Sequence, residues 1–139
     1  MPRLSEEEAW HRFSGSRIAR MATLDPGGHP HLVPIVFSVL DGRVYSAVDS
    51  KPKRTTALRR LDNIRANPAV ALLADHYDED WSQLWWVRVD GHAQVLEGGA
   101  QADSARVALA SRYEQYRGSP PTGPVIAVSA ARVLGWESV

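Results

Sequence analysis

Residues 17–48 read RIARMATLDPGGHPHLVPIVFSVLDGRVYSAV, and the punctuation inside this stretch decides the fold. Residues 17–24 alternate loosely, as a half-buried strand does. Asp25-Pro26-Gly27-Gly28 is a tight turn, with proline presetting one corner and glycine tolerating the next. Residues 31–40 read as a second strand, apolar on both faces around Val33, Ile35, Val36 and Phe37. Pro34 inside it has no amide to donate, so this strand must lie at an edge or carry a bulge or a break. Asp41-Gly42 is a hairpin turn, and residues 43–48 form the third strand. Tight turns between consecutive strands make this part of the sheet antiparallel.

Working outward, Ser5-Glu6-Glu7-Glu8 reads as a capping box opening a helix that ends by Gly15. Downstream, residues 49–55 form a basic loop and residues 56–66 a helix, with Leu58, Leu61 and Ile64 or Arg65 on one stripe. Asn67-Pro68 stops that helix. Residues 69–74 suit a short buried strand, and residues 76–82 an acidic loop. Residues 84–96 form a long strand, or a pair interrupted at Asp90-Gly91. A second long helix spans residues 102–116, with Val107, Ala110 and Tyr113 in line, and residues 125–136 close the chain as a strand. Six strands with helices at the corners predict a small closed or split barrel, mainly β or α+β in class, built as one domain over residues 1–139.

The composition narrows the function classes. A chain of 139 residues that is 44% hydrophobic and 23% charged has material for a proper core. It has no cysteine, which excludes disulfides, thiolate metal sites and a cysteine nucleophile. No apolar run is long enough to span a membrane, and the start of the chain has no signal-peptide pattern, so a cytoplasmic location is expected. A formal net charge of zero argues against nucleic acid as a partner. Heavy use of Arg, Ala and Val points to a GC-rich bacterial genome.

Against that neutral background, both lysines of the chain fall in Lys51-Pro52-Lys53-Arg54. Residues 51–60 carry five cations (Lys51, Lys53, Arg54, Arg59 and Arg60) and no acid. The loop follows a strand and precedes a helix, so backbone amides, the Thr55 and Thr56 hydroxyls and these cations can converge on one phosphate. The plain alternative is a solvated basic turn. A second cluster, Trp81, Trp85 and Trp86 followed by Arg88, offers aromatic faces to a planar ligand or a partner chain. Adjacent Trp85 and Trp86 point to opposite faces of a strand, so one core face cannot hold both. His29 and His31 lack a third metal ligand at a sensible spacing, and no metal site is expected. No GxSxG, HExxH, P-loop or GxGxxG pattern occurs. Cations and aromatics without an acid, base or nucleophile set suit chemistry borne by a cofactor that the protein binds and orients.

These stretches resemble the pyridoxamine-5′-phosphate-oxidase-like superfamily of split β-barrel flavoproteins. Within it, the chain looks most like the small actinobacterial PPOX-class enzymes that use coenzyme F420, a deazaflavin. The resemblance rests on Ile18-Ala19-Arg20-Met21-Ala22-Thr23-Leu24 with its Gly-rich turn, and on Pro34-Ile35-Val36-Phe37. It rests also on Lys51-Pro52-Lys53-Arg54-Thr55, on Asn63-Ile64-Arg65-Ala66-Asn67-Pro68 and on Trp85-Trp86-Val87-Arg88-Val89-Asp90-Gly91. It covers nearly the whole chain. It implies a six-stranded antiparallel split barrel of the FMN-binding type, paired as a homodimer with cofactor sites at the subunit interface. It places the cofactor phosphate on Lys51, Lys53, Arg54 and Thr55, with Arg60 as a further candidate, and leaves open which of Arg54, Arg59 and Arg60 meets the phosphate. It lays the ring along Pro34, Ile35, Val36 and Phe37 and along Ser46, Ala47 and Val48, and draws Trp85, Trp86 and Arg88 from the partner. It implies hydride transfer from reduced F420 to an unsaturated, planar small molecule, with no catalytic residue assigned. Two alternatives stay open: an FMN-dependent oxidoreductase on the same fold, and a flavin- or F420-binding carrier without turnover.

Overall fold

Ser5 opens the first helix, α1 (Glu6–Gly15), its side-chain oxygen accepting from the Glu8 amide at 3.1 Å. Three acids in the first turn suit the positive end of the helix dipole. The Glu8 carboxylate turns to the Arg12 guanidinium at 3.0 Å, one turn on. The computed structural model describes residues 3–48 and 56–138, with the backbone alone at 56–58.

The strands are β1 (Ala19–Leu24), β2 (Pro30–Ile35), β3 (Ser38–Leu40), β4 (Arg43–Ala47), β5 (Ala69–His76), β6 (Trp85–Leu96) and β7 (Val125–Glu137). They form one antiparallel sheet in the order β2-β1-β5-β6-β7-β4-β3. The expected count of six becomes seven because the long second strand divides at Val36-Phe37. Its two halves lie at opposite ends of the strand order. Laid flat, those edges would stand six strand spacings apart, about 29 Å. The link from Ile35 to Ser38 reaches at most about 11 Å. The sheet must therefore curl until its edges meet, which makes a barrel split between β2 and β3. Pro34 falls in the edge strand β2, paired only with β1 opposite Arg20, as its missing amide requires. At the β3–β4 turn, Asp41 and Gly42 take φ of 51° and 73°, the left-handed pair of a two-residue hairpin.

β6 and β7 pair along nearly their whole length, with a register shift between Asp90 and Gly91. β6 itself is thus one unbroken strand, and the bulge lies in β7: Asp90 faces Arg132 and Gly91 faces Ala130, leaving Ala131 as the extra residue. Gly91 is needed at that place: a Cβ would collide with the Ser129 carbonyl oxygen and stand 3.1 Å from its carbon. Gly91→Ala should therefore cost about 1–3 kcal/mol by overpacking. Urea unfolding checks this; a midpoint within error of the parent would mean that the bulge can open.

The helices of the described residues are α1, α2 (Thr56–Ala66), α3 (Ala100–Arg112) and the short α4 (Glu114–Gly118), with one 3-10 turn at Trp81–Gln83. The single helix expected over 102–116 breaks at Tyr113, whose backbone is extended (φ −115°, ψ 120°). Its buried stripe is also displaced from the expected one. Ala102, Ala105 and Leu109 face the sheet, while Val107 is 70% exposed. Small residues on that stripe let α3 approach β4 and β7 closely. There Tyr45, Ala47, Val125 and Ala127 form a second core with Ala102, Ala105 and Leu109. The main core fills the barrel with Met21, Phe37, Leu72, Val87, Val89, Ile126 and Val128, closed at one side by Phe13 of α1.

Candidate functional site

Lys51, Lys53, Arg54 and Thr55 lie outside the described residues. The helix that comes next in the chain, α2, starts at Thr56 with no acid in its first turn, whereas α1, α3 and α4 each carry at least one there. A helix N-terminus bears a partial positive charge. Residues 51–60 carry five cations and no acid, and of these Arg59 and Arg60 lie on α2. An anion suits such a helix start.

Arg60 points the same way. It is half-buried on α2, and its Nε has no hydrogen-bond partner. Burial pulls its guanidinium below arginine's usual range, offset in part by the nearby Tyr116 phenol. Among the described residues, no carboxylate pairs with it. A desolvated guanidinium without an acid is costly by itself and suits a bound anion. Among the described residues, Arg60 thus fits a phosphate-bearing group.

The residues named for the ring divide sharply. Ile35, Phe37, Ser46, Ala47 and Val48 are buried within the protomer. Ile35, Phe37 and Val48 belong to the barrel core, and Ala47 packs under α3. Only Pro34 and the half-buried Val36 present side chains outward from these two stretches. A ring lying along them would meet backbone.

The tryptophan segment also divides, as strand alternation demands. Trp85 packs on the barrel core, its ring 6.3 Å from His76, with the Arg12 guanidinium carbon 5.8 Å above it. Trp86 sits on the outer face, opposite Trp136 across the ladder. Arg88 shares that face, but Asp90 holds its guanidinium through bonds of 2.9 and 3.2 Å. The registers place Pro34, Arg20, Leu73, Arg88 and Leu134 in one row across β2, β1, β5, β6 and β7. Pro34 and Arg88 are three strand spacings apart, about 14 Å. Within one protomer the two do not meet. The outer face they share is partly apolar, with Leu32 65% and Leu73 37% exposed. His29 faces Asp25, its Nδ1 3.3 Å from the carboxylate. Among the described residues, no three His, Asp or Glu side chains gather as metal ligands, and no helix is long and apolar enough to cross a membrane.

Two side chains not singled out from the sequence as site residues, Arg112 and Tyr113, converge on the split itself, where both bond the backbone of Phe37. The only signal in the sequence was Tyr113 at the end of a helical stripe, which read as packing.

A curled antiparallel sheet, split between two edge strands and flanked by helices, defines the split β-barrel class. The chain belongs to the pyridoxamine 5′-phosphate oxidase family, whose sequence model matches residues 5–137. Solved structures share the fold. A conserved hypothetical protein from Mycobacterium tuberculosis has a TM-score of 0.79 at 23% identity, over 96% of this chain and 85% of that one. An FAD-binding protein from Mesorhizobium loti has a TM-score of 0.71 at 23% identity, over 96% and 93% of the two chains. A heme-binding protein from Mycobacterium smegmatis has a TM-score of 0.78 at 18% identity, covering 99% of this chain and 56% of that one. No curated protein matches the chain in sequence.

Proposed function

We propose that this protein is an oxidoreductase that binds coenzyme F420 and passes a hydride from the reduced deazaflavin to an unsaturated, planar small molecule. The observation that carries the reading is Arg60, half-buried on α2 with its Nε unbonded and no acid among the described residues to pair it, on a helix with no acid in its first turn. Lys51, Lys53, Arg54 and Thr55 hold the phosphate in this reading, with Arg60 behind them. F420 carries a phosphodiester and a glutamate tail, and five cations suit that longer anion.

The bound ring supplies the hydride chemistry. The remaining tasks fall to the chain. The backbone of residues 34–37 and 46–48 aligns the ring, with the Pro34 and Val36 side chains against it. The buried side chains behind that backbone keep water out. A second copy docked on the outer sheet face would bring its Trp86 within reach of a ring that one protomer alone leaves open. Cytoplasmic location and an actinobacterial source belong to the same reading.

A flavin in place of F420 is the second reading, favoured by the Mesorhizobium loti relative that is an FAD-binding protein. Titration of the purified protein with F420, FMN and FAD separates the two. We expect F420 to bind most tightly; tight FMN or FAD binding without F420 binding would sink the F420 assignment. If the cofactor binds but a panel of enones, quinones and tetrapyrroles is never reduced, the protein is a carrier. Size-exclusion chromatography with light scattering tests the dimer, and a monomer at micromolar concentration would refute it.

A further inference from the structure

At the split, side chains do what a strand ladder does elsewhere. The Phe37 amide donates to the Tyr113 hydroxyl oxygen at 3.2 Å. The Phe37 carbonyl accepts from that hydroxyl at 2.9 Å and from the Arg112 guanidinium at 2.8 Å. Both backbone groups of one residue are thus taken by two consecutive residues at the break between α3 and α4. The same pair reaches the chain entering β1. The Tyr113 hydroxyl lies 2.9 Å from the Arg17 carbonyl, and Arg112 also donates to the Ser16 carbonyl. Rings and cations stack over the junction: the Arg112 guanidinium carbon stands 4.9 Å from the Phe37 ring, and that of Arg17 stands 4.8 Å from the Tyr113 ring. The extended backbone at Tyr113 lets its phenol serve the seam where the helix stripe would have turned it elsewhere.

We infer that Arg112 and Tyr113 are positioning residues for the cofactor ring, acting through the backbone of Val36-Phe37. This rests on the proposed cofactor reading. The side chains of Ile35 and Phe37 are buried, so a ring along this stretch lies against backbone. That backbone lies at the gap between the two sheet edges, where the Phe37 groups bond Arg112 at the end of α3 and Tyr113 just beyond it. Reactivity falls steeply when a reacting group moves by about 1 Å. The helix junction therefore sets where the ring sits, although neither side chain needs to touch it.

Tyr113→Phe tests this with the smallest change, removing one hydroxyl and keeping the ring. The first measurement is amide exchange by NMR on the cofactor-free protein. Exchange at Phe37 should accelerate about 100-fold, as for a locally opened segment, while Met21 and Leu72 in β1 and β5 keep their rates. The second is titration, well below the melting temperature, with F420 or with FMN if only that binds. The Kd should rise about ten-fold, the size of one lost hydrogen bond, and the visible circular dichroism of the bound ring should change. Arg117→Ala is the control, because Arg117 bonds the Ser111 carbonyl at 3.0 Å near the same junction without reaching Phe37. It should leave both the Kd and the dichroism as in the parent. Unchanged exchange at Phe37 would overturn the clamp. A loosened seam with parental Kd and dichroism would overturn the positioning role, as would an equal effect from Arg117→Ala. A parent protein that binds neither cofactor would instead bring down the proposed function, and the positioning role with it, while the exchange data still decide the clamp.

Discussion

Phe13→Ala should lower stability by about 3–5 kcal/mol, the range for removing a fully buried aromatic. Phe13 has no exposed surface, and its ring stands 4.8 Å from that of Phe37 and 6.0 Å from that of Trp10. It is the side chain by which α1 closes the barrel beside the split. The surrounding wall is held from several strands, so it cannot collapse to fill the space, and the cavity term stays large. In a chain of this length the melting temperature should fall by roughly 10–20 °C. Thermal and urea unfolding read the effect. A loss below about 1 kcal/mol would mean that α1 is peripheral rather than part of the core.

Replacing both lysines, Lys51→Ala with Lys53→Ala, should weaken cofactor binding by roughly 3 kcal/mol, more than 100-fold, from two charge-assisted hydrogen bonds lost at once. The remaining arginines cannot compensate fully, because a lysine ammonium and a guanidinium present their donors differently. Lys53→Ala alone should cost about 1–3 kcal/mol. The parent affinity should also fall with added salt and the double variant's less so, since fewer charges are then neutralised on binding. The check is a titration at two salt concentrations, with unfolding curves to show that the variant is folded. Parental affinity in the double variant would remove the loop from the site.

Much of the architecture was legible because it rests on local backbone chemistry. Asp25-Pro26-Gly27-Gly28 and Asp41-Gly42 could only be turns. Pro34 could only lie where an amide is not needed, and it lies in an edge strand. Other readings failed where the deciding partner was remote. Pro34 left an edge, a bulge or a break open; only the strand order decides that the strand divides at Val36-Phe37, because its two halves must serve opposite edges of one sheet. The 102–116 helix pattern was continuous, yet Tyr113 leaves it because its hydroxyl finds Phe37, 76 residues away in sequence. Val107 looked like core and is exposed because α3 needs its alanine stripe to approach β4 and β7.

The candidate site shows the same division. The excess of cations over residues 51–60 is a property of the chain alone, readable by counting charge. That Arg60 is half-buried without an acid among the described residues, that Ile35 and Phe37 offer backbone and not side chain, and that Pro34 and Arg88 stand about 14 Å apart on a shared face appear only in the tertiary structure. By itself the sequence determined the turns, the constraint that Pro34 puts on its strand, the capped start of α1 and the charge excess over residues 51–60, because each depends on neighbours a few residues away. The closure of the barrel, the bulge opposite Gly91 and the clamp on Phe37 were decided by the tertiary structure, because each is a contact between segments that only the curled sheet brings together.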